Sequence, residues 1–430
     1  MRSVLVIAYY FPPMGFSGVQ RPLKFVKYLP DYGWRPTVLT IHPHAYFAFD
    51  DSLMDDLRGR EHEIWRTQPG RIFSALKSRR TLALEREGLR KFLNRVSQFF
   101  FVPDNKGGWR RRAMHFLAGQ DMQQFDAVFA TAPPFTDHLL ALDIKRKYGL
   151  PVVADFRDAW VDYPYYRYWT AWHRRRNEEL ERSVVLGVDR LITTNNFVRD
   201  GFIKRHSAAD PALAGRIDVI TQGFDPEDFK LNLLNGPAFP DDGTVHFVHS
   251  GNFYEDRKPT DLFKAIEYIK LHFPAIYPRL LFTMVGYMQA EFRRLAEQLG
   301  IDDRMRYLGY VDHPIAVHCL QKTDVVWFNI GANDPGFETV APGKVFEYIG
   351  SRKPIIAVVP KNEIGAILAE QHQARIVEPG DIRDFALAIC DCVKRKDIQA
   401  LPYATLEDVK GFDRQQLTGR LAEILAAVAD

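Results

Sequence analysis

The feature that most constrains the fold is a regular alternation of short apolar runs with helix-sized segments. In the first half of the chain these runs are residues 3–10, 36–41, 127–132, 151–156, 190–195 and 217–223. In the second half they are residues 245–251, 280–286, 305–311, 324–330, 354–360 and 374–378. Such runs are typical of strands buried on both faces, and the intervening segments are long enough for crossover helices. The sequence therefore predicts an α/β protein of two doubly wound, Rossmann-like parallel-sheet domains facing a cleft.

The domain boundaries are indicated by a change in composition. Between residues 225 and 243 the alternation gives way to a stretch rich in proline, glycine, asparagine and aspartate, which is typical of a linker. We therefore predict an N-terminal domain over residues 1–225 and a second domain over residues 226–405. The last segment, residues 406–430, has an amphipathic helical pattern, and we expect this helix to cross back to the first domain.

Composition and charge exclude several classes of protein. A net charge of +3 over 430 residues is too small to indicate a nucleic-acid partner. The three cysteines lack the spacing of a zinc site or a disulfide framework, so a reducing compartment is expected. Residues 1–13 are typical of a first strand and not of a signal peptide, and no run of eighteen apolar residues occurs. These features favour a cytoplasmic protein.

The segment over residues 334–350 is a candidate for binding a charged ligand. Pro342 and Gly343 suit the first turn of a helix, because proline has no N–H group to leave unpaired there. Lys344 would then lie among free backbone amides, which bind anions. Glu347 shares a helical face with Lys344, and its carboxylate can bind sugar hydroxyls. The alternative is a solvated Lys–Glu pair on an ordinary helix.

A second group of candidates follows the first strand of the second half. Gly251 and Asn252 end this run, and Arg257 and Lys258 come shortly after it. Because the carboxyl ends of parallel strands meet at one edge of a sheet, these cations should face the same crevice as Lys344. Three cations beside a glycine turn suit a diphosphate. We predict no metal site, since no His, Cys or Asp cluster near this pocket has ligand spacing.

Two glycines of the first half, Gly15 and Gly18, follow the first strand. Their spacing is not that of a dinucleotide-binding fingerprint, so a nicotinamide cofactor is not expected. They either approach a phosphate or acceptor, or form a tight turn that needs a positive φ.

Other polar residues follow later strands of the first half. Arg157 stands between Asp155 and Asp158 at a strand end, either as part of a reactive edge or in a structural ion pair. His138 lies on the helix after residues 127–132, as a ligand contact or as a hydrogen-bonded helix residue.

Residues 89–116 combine positive charge with large aromatic side chains. Seven cations accompany a single acid, Asp104, and the interleaved aromatic residues are Phe92, Phe99, Phe100, Phe101, Trp109 and Phe116. Such a stretch can lie on an anionic membrane surface, whereas the alternative is a core of phenylalanines beneath solvated arginines. A second aromatic run, residues 160–172, has three interpretations: a sugar-stacking edge, a membrane-facing edge or ordinary packing.

Several segments together carry a resemblance to a known family. They are VLVIAYYFPPMGFSGVQRPLKFVKYLPDYGWRPTVLT, TAPPFTDH, ADFRDAW with ELERSVVLGVDRLITTN, HSGNFYEDRKP, YLGYV and PGKVFEYIGSRKPIIAVV. In this order they resemble glycosyltransferase family 4, retaining enzymes of the GT-B fold. The resemblance covers most of the chain and is weakest over residues 42–100.

The resemblance implies a nucleotide-sugar donor on the second domain, an acceptor on the first, and no cofactor or required metal. It implies that Arg257 and Lys258 hold the diphosphate and that Glu347 holds the ribose. The glycine loop would approach the phosphate and acceptor, with His138 nearby. Arg157 and Asp158 would face the reacting sugar.

Two departures from the family pattern concern the donor site. The family has two glutamates eight positions apart, whereas Glu338 lies nine before Glu347 and Thr339 occupies the expected position. Glu338 serves through a one-residue shift, or backbone amides contact the sugar instead. Asn252 stands where the family often has arginine, and Lys344 would replace that cation. Both variations resemble a subgroup that assembles surface polysaccharides.

The predicted function is transfer of a sugar from a nucleotide-sugar donor to a saccharide or lipid-linked saccharide acceptor, with retention of configuration. The catalytic candidates are Asp158, Arg157 and Glu338. Contact with an anionic membrane would place the enzyme at the inner face of the membrane. The alternatives are an epimerase or phosphorylase of the same fold, a two-lobed sugar-binding protein, and a dinucleotide-dependent oxidoreductase.

Overall fold

The structure, a computed structural model, describes residues 1–15, 17–43, 49–68, 97–163, 166–231, 233, 235–253, 258–330, 342–361 and 363–430. The chain divides into two compact units. Unit 1 contains Met1–Gln222 together with Arg414–Asp430, and unit 2 contains Gly223–Asp413. Each unit has its own parallel sheet, so the predicted fold class of two doubly wound domains is confirmed.

Unit 1 has a seven-stranded parallel sheet in the order β3-β2-β1-β4-β5-β6-β7. The strands are β1 (Arg2–Ile7), β2 (Trp34–Ile41), β3 (Glu63–Thr67), β4 (Ala127–Ala132), β5 (Val152–Phe156), β6 (Arg190–Thr193) and β7 (Ile217–Val219). The helices are α1 (Gln20–Tyr28), α2 (Gly107–Leu117), α3 (Thr136–Tyr148), α4 (Ala171–Gly187) and α5 (Asn196–His206). Strand β3 overlaps no predicted run, because it is an edge strand whose first residue is exposed and whose next three are half-buried.

The middle of this sheet is buried because its strands are apolar on both faces. Every residue of β4 and β5 is buried, and in β1 only Arg2 is partly exposed. Helices cover both faces of such a sheet, which explains why these strands appear in the sequence as continuous apolar runs. Helix α1 continues into a 3-10 turn that ends at Gly33, whose φ of 78° is the left-handed conformation expected at a helix stop.

Unit 2 has a six-stranded parallel sheet in the order β10-β9-β8-β11-β12-β13. The strands are β8 (Val245–Ser250), β9 (Leu280–Val285), β10 (Met305–Gly309), β11 (Val325–Asn329), β12 (Ile355–Val358) and β13 (Ala374–Val377). The helices are α6 (Thr260–His272), α7 (Ala290–Gln298), α8 (His313–Lys322), α9 (Gly343–Ser351), α10 (Glu363–Ala369), α11 (Ile382–Asp397) and α12 (Leu406–Val409). This strand order is that of the Rossmann fold.

The C-terminal helix, α13 (Arg414–Ala429), packs within unit 1. Its apolar face buries Leu417, Leu421 and Leu425. A Cβ atom at Gly419 would lie 2.9 Å from the ring of Tyr32, so glycine permits close packing here. The stretch with linker composition belongs to unit 2.

The strand register brings the candidate residues to one edge within each unit. In unit 1, Ala132 of β4 pairs with Phe156 of β5, which pairs with Thr193 of β6. In unit 2, Ser250 of β8 pairs with Val285 of β9, so the loops after both strands leave together. In the described part of the chain, no helix has the length and hydropathy needed to cross a membrane.

Candidate functional site

Helix α9 begins one residue later than its sequence predicts. Pro342 is the N-cap, with φ −63° and ψ 126°, and Gly343 is the first helical residue. Lys344 lies in the first turn and is half-buried. Its Nζ atom is 3.2 Å from Nε2 of His249 and 5.3 Å from the centre of the Phe328 ring. Lys344 is therefore held against strand ends, and the alternative of a freely solvated Lys–Glu pair does not describe it.

The turn after β8 brings Gly251 directly against the Lys344 side chain. Gly251 has a φ of 145°, and a Cβ atom on it would lie 2.9 Å from Nζ of Lys344. The adjacent turn after β9 contains Gly286, with a φ of 120°, where a Cβ atom would lie 2.6 Å from the Gly251 carbonyl oxygen. Only glycine adopts these backbone angles and leaves this space. Two glycines thus let two strand ends approach each other beside one ammonium group.

Asn252 has a structural partner in the same turn. Its Oδ1 atom accepts a hydrogen bond of 2.7 Å from the backbone N–H of Tyr287, which ties the loop after β8 to the loop after β9. An arginine here has no acceptor atom for this bond. Asn252 therefore closes this turn with an acceptor that an arginine, the residue expected here from the family resemblance, would not supply.

His249 is the acceptor for Lys344 and was not singled out from the sequence. It lies in β8, is completely buried, and stacks on Phe253 with 4.5 Å between ring centres. Its Nδ1 atom is 3.3 Å from the carbonyl oxygen of Trp327, which fits a tautomer with the proton on Nδ1. Burial, and then the neighbouring ammonium of Lys344, lower the pKa of His249 well below its usual value. The imidazole is therefore neutral and presents a lone pair at Nε2.

Two other candidates of unit 2 lie on neighbouring elements. Glu347 is on the second turn of α9, and its Oε1 atom is 3.2 Å from Nε2 of His313 at the start of α8. Lys258 is exposed, and its backbone carbonyl accepts a hydrogen bond of 2.8 Å from Nδ2 of Asn329 at the end of β11. That bond places Lys258 at the same sheet edge as the Gly251 turn. Arg257 and Glu338 lie outside the described residues.

In unit 1, Asp155 belongs to a buried ion pair with a partner that the sequence did not indicate. Arg21 of α1 donates from Nε and Nη2 to the Asp155 carboxylate, at 2.8 to 3.2 Å. Thr131 donates a further bond of 2.8 Å to the same carboxylate. Asp155 is completely buried and Arg21 is 2% exposed. The structural ion pair is thus Asp155 with Arg21, and this pair fixes α1 to the centre of the sheet.

Arg157 holds the glycine loop to the ends of β4 and β5. Its guanidinium donates to the carbonyl oxygens of Gly18, Pro133 and Ala132, the last at 3.1 Å. Burial lowers the pKa of Arg157, and the neighbouring carboxylates, first that of Asp158, oppose this shift. Gly18 lies in a 3-10 turn, Ser17–Val19, so the interpretation of this glycine as a positive-φ position is wrong. The structure therefore brings Gly18, Arg157 and Asp158 to one edge of unit 1.

His138 and Asp137 lie beneath this edge, at the start of α3. His138 is completely buried, its ring lies 4.2 Å from that of Phe156, and within the described part of the chain neither ring nitrogen makes a hydrogen bond of normal geometry. Burial lowers the pKa of His138 to about 3, so the ring is neutral. Asp137 accepts a bond of 2.8 Å from the backbone N–H of Tyr9, and burial raises the pKa of this carboxyl well above its usual value. Burial therefore disfavours the charged form of both Asp137 and His138.

Comparison with known proteins was made for the sequence and for the structure. Residues 244–395 match the family model of Glycosyl transferases group 1. No curated protein matches the sequence. The structure is similar to sucrose-phosphate synthase from Thermosynechococcus elongatus, with 14% identity, a TM-score of 0.65 and 99% of each chain covered. It is also similar to HepE from Anabaena in complex with UDP-glucose, with 14% identity, a TM-score of 0.60, and 99% of this chain and 100% of the other covered.

A third similar structure is WaaG, a glycosyltransferase involved in lipopolysaccharide biosynthesis. The two proteins are 12% identical, with a TM-score of 0.59, and the match covers 98% of this chain and 99% of the WaaG chain. At such identities the likeness concerns the fold. The protein has the GT-B fold. The region that matches the family model lies within unit 2, the unit that contains Gly251, His249 and Lys344.

Unit 1 of this GT-B protein also carries an exposed aromatic cluster, which we call the aromatic surface. It consists of Phe99, Phe100, Phe101, Trp169 and Trp172. Phe99 lies 5.2 Å from Phe100 and 5.4 Å from Trp169 between ring centres. His173 of α4 is buried, and its Nε2 atom is 3.0 Å from the Phe99 carbonyl oxygen, so it links the two segments. Part of the first aromatic run and part of the second thus form one surface.

Two other aromatic residues of those runs, Trp109 and Trp160, belong to the core. Trp109 is 1% exposed and donates from Nε1 to Oγ1 of Thr67 at 2.7 Å. Trp160 is buried, stacks on Phe135 at 4.4 Å between ring centres, and donates to Asn177 at 3.0 Å. The packing interpretation therefore applies to Trp109 and Trp160, whereas membrane contact of the exposed rings stays a prediction. Phe92 lies outside the described residues.

Proposed function

We propose that the protein is a glycosyltransferase that moves a sugar from a nucleotide-sugar donor to a saccharide acceptor. The observation that carries this proposal is the ammonium group of Lys344 at the Gly251 turn, within the region that matches Glycosyl transferases group 1. A cation beside a glycine turn at the carboxyl edge of a doubly wound sheet is suited to a nucleotide phosphate. HepE, which has a similar fold, is described in complex with UDP-glucose, and this supports a nucleoside diphosphate sugar as the donor.

Within this proposal, different residues of unit 2 bind different parts of the donor. Lys344, Lys258 and Arg257 neutralise the diphosphate, and Glu347 accepts hydrogen bonds from the ribose hydroxyls. The glycines at 251 and 286 let the phosphates approach the backbone closely. The contact between Glu347 and His313 supports this division, because His313 holds the carboxylate on the helix face that also carries Lys344.

We propose that transfer proceeds with retention of configuration. The bond between the anomeric carbon and the diphosphate breaks, and a bond to the acceptor oxygen forms on the same face. The acceptor proton passes to an oxygen of the departing diphosphate. Cations near that diphosphate stabilise the charge that develops on it. The family resemblance assigns polar contacts with the sugar to Asp158 and Arg157, and it assigns Glu338 to the sugar hydroxyls through a one-residue shift of the glutamate spacing.

An acceptor assay distinguishes this function from its alternatives. UDP-, ADP- and GDP-sugars are each incubated with the protein, with and without a pool of saccharide acceptors and with inorganic phosphate. A transferase releases nucleoside diphosphate faster when acceptor is present, and the product keeps the anomeric configuration of the donor, read by NMR. Turnover that needs no acceptor indicates an epimerase, and turnover that needs phosphate indicates a phosphorylase. Either result would refute the proposal.

We further propose that the acceptor is lipid-linked and that the enzyme is a peripheral protein at the inner face of an anionic membrane. The aromatic surface supports this, because Phe100 and Trp172 are 70% and 63% exposed, which is unusual for such large apolar groups. Exposed arginines at positions 174, 175 and 176 follow Trp172 on α4. An open groove of about 750 Å³ begins at Phe101 and is lined by Arg111, Met114 and Leu139, among others. Aromatic rings beside arginines are typical of surfaces that bind lipid headgroups.

A further inference from the structure

We propose that His249 is a positioning residue that holds Lys344 in place for the donor phosphate. This inference rests on the proposed function. Lysine has a long, flexible side chain and a single charged group at its end, so its position depends on a fixed partner. In this site the partner is Nε2 of His249, at 3.2 Å from the Lys344 ammonium. The bond directs the ammonium through one of its three donor hydrogens.

The environment of His249 makes it a rigid acceptor. The Nδ1 atom is anchored at 3.3 Å from the Trp327 carbonyl oxygen, and the ring lies against Phe253 and Trp327, with 4.5 and 4.7 Å between centres. Because Nδ1 carries the proton, Nε2 can accept from an ammonium but cannot donate to a phosphate. His249 therefore acts on the ligand through Lys344. Its complete burial also keeps it out of direct contact with the donor.

Gly251 completes this arrangement from the other side. A Cβ atom there would lie 2.9 Å from Nζ and 3.0 Å from Cδ of Lys344, so any side chain would displace the ammonium. His249 and Gly251 are two residues apart on one strand end. A short segment of β8 thus sets the position of a cation that belongs to α9. We therefore expect this segment to affect the affinity for the diphosphate and not the affinity for the nucleoside.

Three variants separate positioning from general packing. His249→Leu removes the acceptor, and His249→Gln keeps a side-chain oxygen near the position of Nε2. His246→Leu is the matched control, because His246 is also buried in β8 but contacts the Pro240 carbonyl, at 2.9 Å. The probes are UDP, ADP and GDP with the corresponding monophosphates, and binding is measured by calorimetry. We expect His249→Leu to weaken diphosphate binding about tenfold or more while monophosphate binding changes little. His249→Gln should restore most of the loss, and His246→Leu should bind as the wild type does.

A double-variant cycle tests whether His249 acts through Lys344. If it does, adding His249→Leu to Lys344→Met causes no further loss of diphosphate affinity. Additive losses would overturn the inference. A wild-type protein that binds no diphosphate, or a Lys344→Met variant that binds as tightly as wild type, would instead refute the proposed donor site.

A measurement without ligand tests the positioning role of His249 separately from the proposed donor site. Acetylation of Lys344 by acetic anhydride, followed by mass spectrometry, reports how well the ammonium is held. We expect several-fold faster modification in His249→Leu than in the wild type, and no change in His246→Leu. Equal rates in all three proteins would overturn the positioning role, whatever the donor is.

Discussion

At the scale of single residues, two charged side chains have partners that are not their neighbours in the sequence. Asp155 forms its ion pair with Arg21, although Arg157 is nearer in the sequence, and Lys344 donates to His249. In both cases the partner comes from another element. The partner of a charged residue in this protein therefore cannot be read from the residues beside it in the sequence.

Lys344→Met tests the role of the ammonium in catalysis. The variant keeps the apolar stem and removes the charge, so we expect a fall in kcat of about a hundredfold, because the diphosphate gains charge in the transition state. Glu347→Gln should mainly raise the KM for the donor, since ribose contacts are equal in ground and transition states. Lys361→Met, at an exposed lysine of the same unit, is the control. A Lys344→Met variant with wild-type kinetics would show that this helix start is not the phosphate site.

The buried carboxyl of Asp137 predicts a pH dependence of stability. Its pKa is raised in the folded state, so folding favours the protonated form. Relative to Asp137→Asn, the wild type is therefore most stable below the ordinary pKa of 3.8, and it loses this advantage as the pH rises. Melting temperatures of both proteins, measured from about pH 4 to pH 8, should show the difference shifting in favour of the variant. A difference that is constant with pH would mean that Asp137 is ionised in the folded protein.

At the scale of elements, glycine turns and one buried histidine join segments that are distant in sequence. The turns at Gly251 and Gly286 bring the ends of β8 and β9 together beside the first turn of α9. His173 similarly joins the segment containing Phe99 to α4. Each of these contacts brings together two segments that are far apart in the sequence.

The aromatic surface predicts salt-sensitive binding to anionic liposomes. Flotation at low ionic strength should recover the protein with the vesicles, and recovery should fall as salt screens the arginines. Replacing both Phe100 and Trp172 with serine should abolish flotation, because it removes the two most exposed rings of the surface. Leu271→Ser, at another residue that is 69% exposed, is the control for lost surface hydrophobicity. If the wild type never floats, the acceptor is not presented by an anionic bilayer.

At the scale of the whole molecule, the two units differ in how the chain builds them. Unit 2 is one continuous segment, whereas unit 1 contains both ends of the chain. Helix α13 completes unit 1 through Leu417, Leu421 and Leu425, and Tyr32 donates to the Gln415 carbonyl at 2.9 Å. Unit 1 therefore includes a helix that follows all of unit 2 in the sequence.

A chain that ends after Asp413 should lose stability in unit 1 alone. Removing α13 exposes the apolar faces it covers, at a cost of about 25 cal/mol per Å² of apolar surface. Hydrogen exchange should show faster exchange in β4 and β5 of the truncated protein, with β8 and β9 unchanged. Equal protection of β4 and β5 in both proteins would show that unit 1 is complete without the helix.

The sequence by itself determined the architecture, because strands buried on both faces must be apolar throughout and the crossovers between them must be helix-sized. It also determined the start of α9 to within one residue, since proline and glycine have strong preferences at a helix N-terminus. Edge strand β3 escaped prediction because a half-exposed strand carries no apolar run. Only the tertiary structure decided the partners of Lys344 and Asp155, and which rings of the aromatic runs are exposed. Those contacts join residues far apart in the chain, and a buried histidine such as His249 has the same local sequence signal whether it fills space or holds a cation.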